Sequence, residues 1–222
     1  MREGEKTAVF DYKRIPLGPL WTNSYTFDDG NGTAFCVDPG GDPADVVEFL
    51  QNRRLKLGAI LLTHGHMDHC LGVADLVEAT GAPVYMARGD LNMTKDNWAN
   101  LAVEFGREVP PYEPSKLLDE GDTFSVGRFS LTVLLTPGHT PGSCCYIVEK
   151  DGEKLLISGD TLFARSIGRS DLRGGDSEAL ARSLARLKEL KGDLPVLPGH
   201  GPETSLDRER QLNPFLQWRQ EA

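Results

Sequence analysis

Six consecutive positions in the stretch THGHMDH, residues 63–69, carry three histidines and an aspartate. Imidazole nitrogens and carboxylate oxygens of this kind suit divalent zinc, iron or manganese. His64 and His66 stand two apart, so in an extended segment both rings point to one side and can share an ion. Asp68 and His69 are adjacent and fit that direction poorly if a helix begins there, which places them better for a second ion. Two divalent ions a few ångströms apart repel, and an anion between them damps the repulsion. Asp160, in ISGD, is the candidate carboxylate. The remaining histidines, His139 in PGHT and His200 in PGHG, complete a set that uses all 5 histidines of the chain.

Each of these donors follows a short apolar run: AILLT before His64, LTVLLT before PGHT, KLLIS before Gly159-Asp160, and LPVLP before Gly199-His200. Such runs read as buried strands. Strand ends in a layered α/β domain gather along one edge, where loop donors converge. Around them, SYTF and TAFCVD flank DDGNG as a hairpin, and Asp151-Gly152 marks a second one. Helices are expected over 42–58, with Asp42 as cap, Pro43 in the first turn and Gly58 as stop, and over 68–80 with Gly81 as stop. Further helices are expected over 90–105, over 176–192, and over 206–222 with an interruption at Pro214. GREVPPYEPSK reads as a loop that exposes Tyr112 on a pocket wall. The two strand-and-helix halves, 1–125 and 126–222, show no linker between them, so residues 1–222 are expected to form one layered domain.

Composition narrows the function. A formal charge of -9 disfavours nucleic acid as a partner. No apolar run reaches the ~18 residues of a membrane span, and MREGEKTAVFDYKR lacks a signal-peptide core. Cysteines at 36, 70, 144 and 145 show no disulfide or zinc spacing; Cys70 reads as a core residue of its helix, and of the adjacent pair one sulfur is expected to be buried. A cytoplasmic setting follows as the default. A structural zinc site would need four donors, mostly thiolates, whereas seven nitrogen and oxygen donors are present here, so the ions are expected to be catalytic.

The motifs THGHMDH, TPGHT, SGDTLF and LPGHG, in this order over roughly residues 20–202, resemble the metallo-β-lactamase superfamily. GRSDL resembles its glyoxalase II-like and persulfide dioxygenase-like branches. The resemblance implies a four-layer αββα sandwich with two divalent ions at one edge, zinc first, with iron or manganese as alternatives. It implies His64, His66 and His139 on one ion, Asp68, His69 and His200 on the other, and Asp160 bridging. Asp38, in VDPGG, matches a family aspartate near the site; it is expected to support the site or shape its turn rather than ligate. An acidic residue replaces His66 in flavodiiron-type relatives, and zinc β-lactamases lack the bridging aspartate, so both activities are disfavoured. The resemblance implies no counterpart to the C-terminal helical domain with which full-length glyoxalase II holds glutathione.

The expected chemistry is hydrolysis of a small thioester such as S-lactoylglutathione. Metal coordination lowers the pKa of water from 15.7 toward ~7, and Asp68 and Asp160 are expected to orient that nucleophile. A thiolate leaves without much protonation, which suits a site with no spare histidine. Arg165, Arg169 and Arg173, in FARSIGRSDLRGGD, are candidates for a substrate carboxylate. The alternative is a mononuclear iron persulfide dioxygenase built on His64, His139 and Asp160. A metal-binding module without catalysis is the non-enzyme reading. The sequence leaves the oligomeric state open.

Overall fold

The computed structural model describes residues 9–217. Its first half runs β1 (Asp11–Leu17), β2 (Thr22–Asp28), β3 (Thr33–Val37), α1 (Ala44–Arg53), β4 (Lys56–Leu61), α2 (Met67–Cys70), α3 (Val73–Thr80), β5 (Val84–Ala87) and β6 (Lys116–Leu118). The second half runs β7 (Thr123–Val126), β8 (Phe129–Leu135), β9 (Cys144–Lys150), β10 (Glu153–Gly159), the small hairpin β11 (Leu162–Phe163) and β12 (Ser166–Ile167), α4 (Ser177–Lys188), β13 (Pro195–Pro198), β14 (Thr204–Ser205), α5 (Leu206–Leu212) and α6 (Pro214–Gln217). One sheet has the order β1-β2-β3-β4-β5-β6 and the other β14-β13-β10-β9-β8-β7. The first turns from antiparallel to parallel at β3, because α1, and then α2 with α3, cross over its outer face.

The period of two along the strands sorts side chains into layers. Phe35 and Val37 of β3 face inward with Tyr25, Leu61, Leu131, Tyr146 and Val148, whereas Ala34 and Cys36 face outward onto Val46, Leu50, Val73 and Leu76. Phe27 stacks on Phe35 at 4.5 Å between centroids, with Phe129 edge-on to both. Each such ring stabilises the sandwich by about 1.5–3 kcal/mol through burial. On the far side, Leu180, Leu184 and Leu187 of α4 cover Cys145, Leu156 and Val196. The result is the four-layer αββα sandwich that the sequence motifs imply. Both adjacent cysteines are buried, not one: Cys144 lies in the inner core and Cys145 in the outer one.

Several expected boundaries shift. The first helix stops at Arg53, where Arg54 takes a left-handed φ of 57°; Gly58 lies inside β4, where a Cβ would come within 2.8 Å of Val126. The helix expected over 68–80 breaks into α2 and α3 because Gly72 meets the 39–41 loop. Its N–H donates to Pro39 O at 2.8 Å, and a Cβ on Gly72 would sit 1.9 Å from Gly41 O. The segment 90–105 forms two short 3₁₀ turns, Arg88–Thr94 and Ala102–Phe105, instead of a helix. Its polar side chains compete for the backbone: Asp96 accepts from Trp98 and Ala99 N–H, and Asn100 donates to Met93 O. Tyr112 is buried in the outer core behind α2, because its ring adds apolar area there, and it lines no site pocket. Pro214 separates α5 from α6; the helix expected beyond 217 lies outside the described residues, as does most of the N-terminal stretch. Among the described residues, no helix is long and apolar enough to cross a membrane.

Candidate metal centre

The loops after β3, β4, β8, β10 and β13 all open at one edge of the sandwich, and all seven expected donors meet there. Three sets of donor atoms lie within 4.8 Å of one another: His64, His66 and His139; His64, His69 and Asp160; Asp68, His69 and His200. The first and third correspond to the two ion sites expected from the sequence. The second straddles them and contains Asp160. Asp160 Oδ1 lies 3.3 Å from His69 Nε2, while Oδ2 lies 3.6 Å from His200 Nε2 and 3.7 Å from His139 Nε2. Its position is wedged, since a Cβ on Gly199 would come within 2.2 Å of Oδ1.

Surrounding hydrogen bonds fix which nitrogens face inward. Asp38, at a left-handed φ of 49°, accepts from the Thr63 N–H at 2.8 Å and the Thr63 hydroxyl at 2.7 Å. His69 Nδ1–H donates to Asp38 Oδ2 at 2.9 Å, and with the Thr63 hydroxyl committed to Asp38, its oxygen accepts from His64 Nδ1–H at 3.2 Å. One Asp38–Thr63 pair therefore engages Nδ1 of two rings and turns Nε2 of both inward. Asp38 supports the cluster from outside it. His139 Nδ1–H donates to the Arg169 carbonyl at 2.7 Å, which turns its Nε2 to within 2.9 Å of His66 Nδ1.

These atoms fit a metal. His64 Nε2, His66 Nε2, His69 Nε2 and Asp160 Oδ1 are buried with no hydrogen-bond partner, and a buried polar atom is rarely left so. With His139 Nδ1–H committed to the Arg169 carbonyl, His139 Nε2 accepts from His66 Nδ1–H at 2.9 Å, which leaves His66 Nε2 as the bare nitrogen of that ring. Burial, then the neighbouring His139, pushes His66 down to about 3, and burial with the surrounding imidazoles lowers His64, so both present neutral lone pairs at neutral pH. Burial also opposes charge on Asp68 and Asp160, but His69 and His200 outweigh it and hold both carboxyls below their ordinary range. Burial opposes charge on His69 as well, yet Asp160, Asp68 and Asp38 raise it well above the ordinary imidazole value. The centre is thus negative enough to keep a cation, and the same three carboxylates that hold a proton on His69 suit a metal ion in its place. No thiolate joins the set: Cys70 Sγ turns away to Gly65 O at 3.6 Å.

The sequence reading missed Asp90. Fully buried after β5, it accepts from Gly65 N–H at 2.9 Å, from the Thr140 hydroxyl at 2.7 Å and from Gly142 N–H at 2.6 Å. It ties the loop of His64 and His66 to the loop of His139. The signal was present, because Asp90 also follows a short apolar strand, VYMA, but without a histidine beside it the pattern went unread. Asp90→Asn leaves an amide N–H₂ against a donor that needs an acceptor, and should cost about 2–3 kcal/mol of stability. It should also weaken ion binding at the His64–His66–His139 group. A denaturation midpoint and ion affinity equal to the parent would show that the loops hold without it.

The three candidate arginines divide. Arg169 lines the pocket over the cluster and is paired with Asp171 at 2.8 and 2.9 Å. Arg173 stands behind the rim, paired with Glu104 at 2.8 Å and stacked 3.7 Å over Trp98. Arg165 is exposed and away from the pocket; its N–H donates to the buried Glu209, which fixes the turn of the β11–β12 hairpin.

The metallo-beta-lactamase superfamily profile matches residues 17–200. The probable metallo-hydrolase YqgX of Bacillus subtilis is 40% identical over 208 residues, 92% of this chain and 97% of that protein. Hydroxyacylglutathione hydrolase GloC of Haemophilus influenzae is 30% identical over 205 residues, 91% of this chain and 96% of that protein. Among solved structures, BLEG-1 B3 metallo-beta-lactamase superposes with a TM-score of 0.88 at 37% identity, over 94% of this chain and all of that one. TTHA1623 in a di-iron-bound form gives 0.80 at 40% identity, over 92% and 100%. ETHE1 from Myxococcus xanthus gives 0.75 at 26% identity, over 92% and 83%. With the profile match covering most of the sandwich and every convergent donor, the chain belongs to the metallo-β-lactamase superfamily.

Proposed function

We propose that this protein is a metal-dependent hydrolase of small thioesters, of which S-lactoylglutathione is the first to test. In this reading His64, His66 and His139 hold one divalent ion, Asp68, His69 and His200 the other, and Asp160 lies between them. The observation that carries it is the set of buried, unpartnered donor atoms in two groups with one carboxylate shared. GloC, named for hydrolysis of a hydroxyacylglutathione, supports the substrate class. Bound ions supply a water acidic enough to give hydroxide near neutral pH and a positive field for the oxyanion. Asp68 and Asp160 stay ionised and orient the attacking water. Thr22 helps, since its hydroxyl donates at 2.9 Å to Asp68 Oδ2, the oxygen that faces His200 Nε2 at 3.1 Å and His69 Nε2 at 3.5 Å. With all 5 histidines in the cluster, none is left to protonate a leaving amine. That favours a thiolate leaving group over the amide nitrogen of a β-lactam, despite the likeness to BLEG-1.

The likeness to ETHE1 keeps a second reading in view, a single iron on His64, His139 and Asp160 acting on a persulfide. Elemental analysis, thiol release and an oxygen electrode separate the two. The hydrolase should carry close to two ions per chain, zinc, iron or manganese, and release thiol without oxygen uptake. One iron per chain, with oxygen consumed in step with glutathione persulfide and no thioester cleaved, would reverse the assignment.

A further inference from the structure

The cavity over the metal centre has a volume of about 500 Å³, and beyond the donors its apolar lining includes Leu20, Leu101, Phe105, Phe163, Ile167 and Leu172. Two further charged side chains line it, Glu104 and Arg169. Both are already paired, Glu104 with Arg173 at 2.8 Å and Arg169 with Asp171 through two bonds. Arg173 is further held flat against Trp98. Among the described residues, no uncommitted cation lines this cavity. A carrier thiol with carboxylates, such as glutathione, would meet in Arg169 an exposed guanidinium whose charge Asp171 already neutralises, and an ion pair made there contributes little net affinity. The apolar wall, by contrast, is open to any chain that can cover it.

We infer that the site selects its thioester by an apolar acyl chain packed against Phe105, Phe163, Ile167 and Leu172, not by anionic groups on the thiol carrier. The inference rests on the thioesterase reading and names its substrate class. Hydrolysis consumes one water, breaks the acyl C–S bond, and releases the carboxylate and the thiol. Each methylene moved from water into such a wall favours binding by about fourfold. In transition-state binding that gain appears in kcat/KM.

The test uses the metal-loaded full chain with acetyl, lactoyl and hexanoyl thioesters, each on glutathione and on N-acetylcysteamine, which has no carboxylate. Hexanoyl should exceed acetyl in kcat/KM by about tenfold or more on both thiols. The two thiols should agree within about threefold for a given acyl group. Calorimetry with the thioethers S-methylglutathione and S-hexylglutathione reads the wall without catalysis. The hexyl form should bind at least about tenfold tighter, with a more negative heat-capacity change. Phe105 is 46% exposed, so Phe105→Ala spares the core; it should lower the hexanoyl-to-acetyl ratio. A tenfold preference for S-lactoylglutathione over its hexanoyl counterpart, or a tenfold loss on the truncated thiol, overturns the inference. So does an unchanged ratio in Phe105→Ala. If no thioester is cleaved while the hexyl thioether still binds tighter, the thioesterase reading falls and apolar recognition stands. Cleavage with no dependence on chain length does the reverse.

Discussion

Asp160→Ala should leave far fewer than the two ions per chain expected of the parent, because one carboxylate reaches both donor groups. Its two oxygens lie 3.3–3.7 Å from His69, His139 and His200, which belong to different groups. Without it, two ions would also face each other with no anion between them, and at an effective dielectric near 20 such repulsion amounts to several kcal/mol. His200→Ala removes a donor from the Asp68–His69 group alone and should leave close to one ion per chain. Thioester hydrolysis should fall by at least about 10³-fold in Asp160→Ala. Asp160→Asn keeps the shape and one acceptor oxygen, and it should retain more metal than the alanine variant. Elemental analysis of dialysed protein, alongside circular dichroism to establish folding, reads all three. Full occupancy in a folded Asp160→Ala would remove the carboxylate from its place between the ions.

The donors were legible in the sequence because each stands where an apolar strand ends, and the strand edge does the rest. Local pattern carries that information. It does not carry the partners that hold the donors in place. Asp90 acts on Gly142 across 52 positions, and Asp38 acts on His69 across 31, so neither pairing leaves a periodic trace. Thr63 sits inside the histidine motif, yet its part in turning two rings appears only when the β3 and β4 loops lie side by side. The misread helices share a cause of the same kind. Gly72 looks tolerable inside a helix until the 39–41 loop is packed against it, and Asn97 and Asn100 look helical until their amides bond neighbouring backbone. Tertiary contact overrode propensity in both segments.

Stripping the ions with a chelator should lower the melting temperature by about 8–16 °C at neutral pH. A ligand held at 1,000 times its dissociation constant stabilises the native state by about 4 kcal/mol. For a chain of this size each kcal/mol corresponds to about 2–4 °C. The gap between metal-loaded and metal-free protein should also widen from pH 6 to pH 8.5, through His69. Its folded pKa is raised above the ordinary value of 6.5 by Asp160, Asp68 and Asp38 against the opposing effect of burial. The stability it lends the metal-free protein is therefore fully present below 6.5 and lost as pH rises through the folded value. Over the same interval the metal no longer has to displace a proton from Nε2, so its affinity grows. His64 and His66 act in the opposite window. Both are depressed, so their contribution is present above 6.5 and is lost as pH falls toward about 3 for His66. Asp68 and Asp160 are depressed too, and their contribution is lost only below the ordinary carboxylate value of 3.8. Acid should thus weaken both forms while alkali separates them. Melting curves at pH 6, 7.25 and 8.5, with metal content measured on the same samples, test this directly. A melting temperature that does not move when the ions leave, or a gap that narrows toward pH 8.5, would mean that the carboxylates around His69 are not holding the site for a cation.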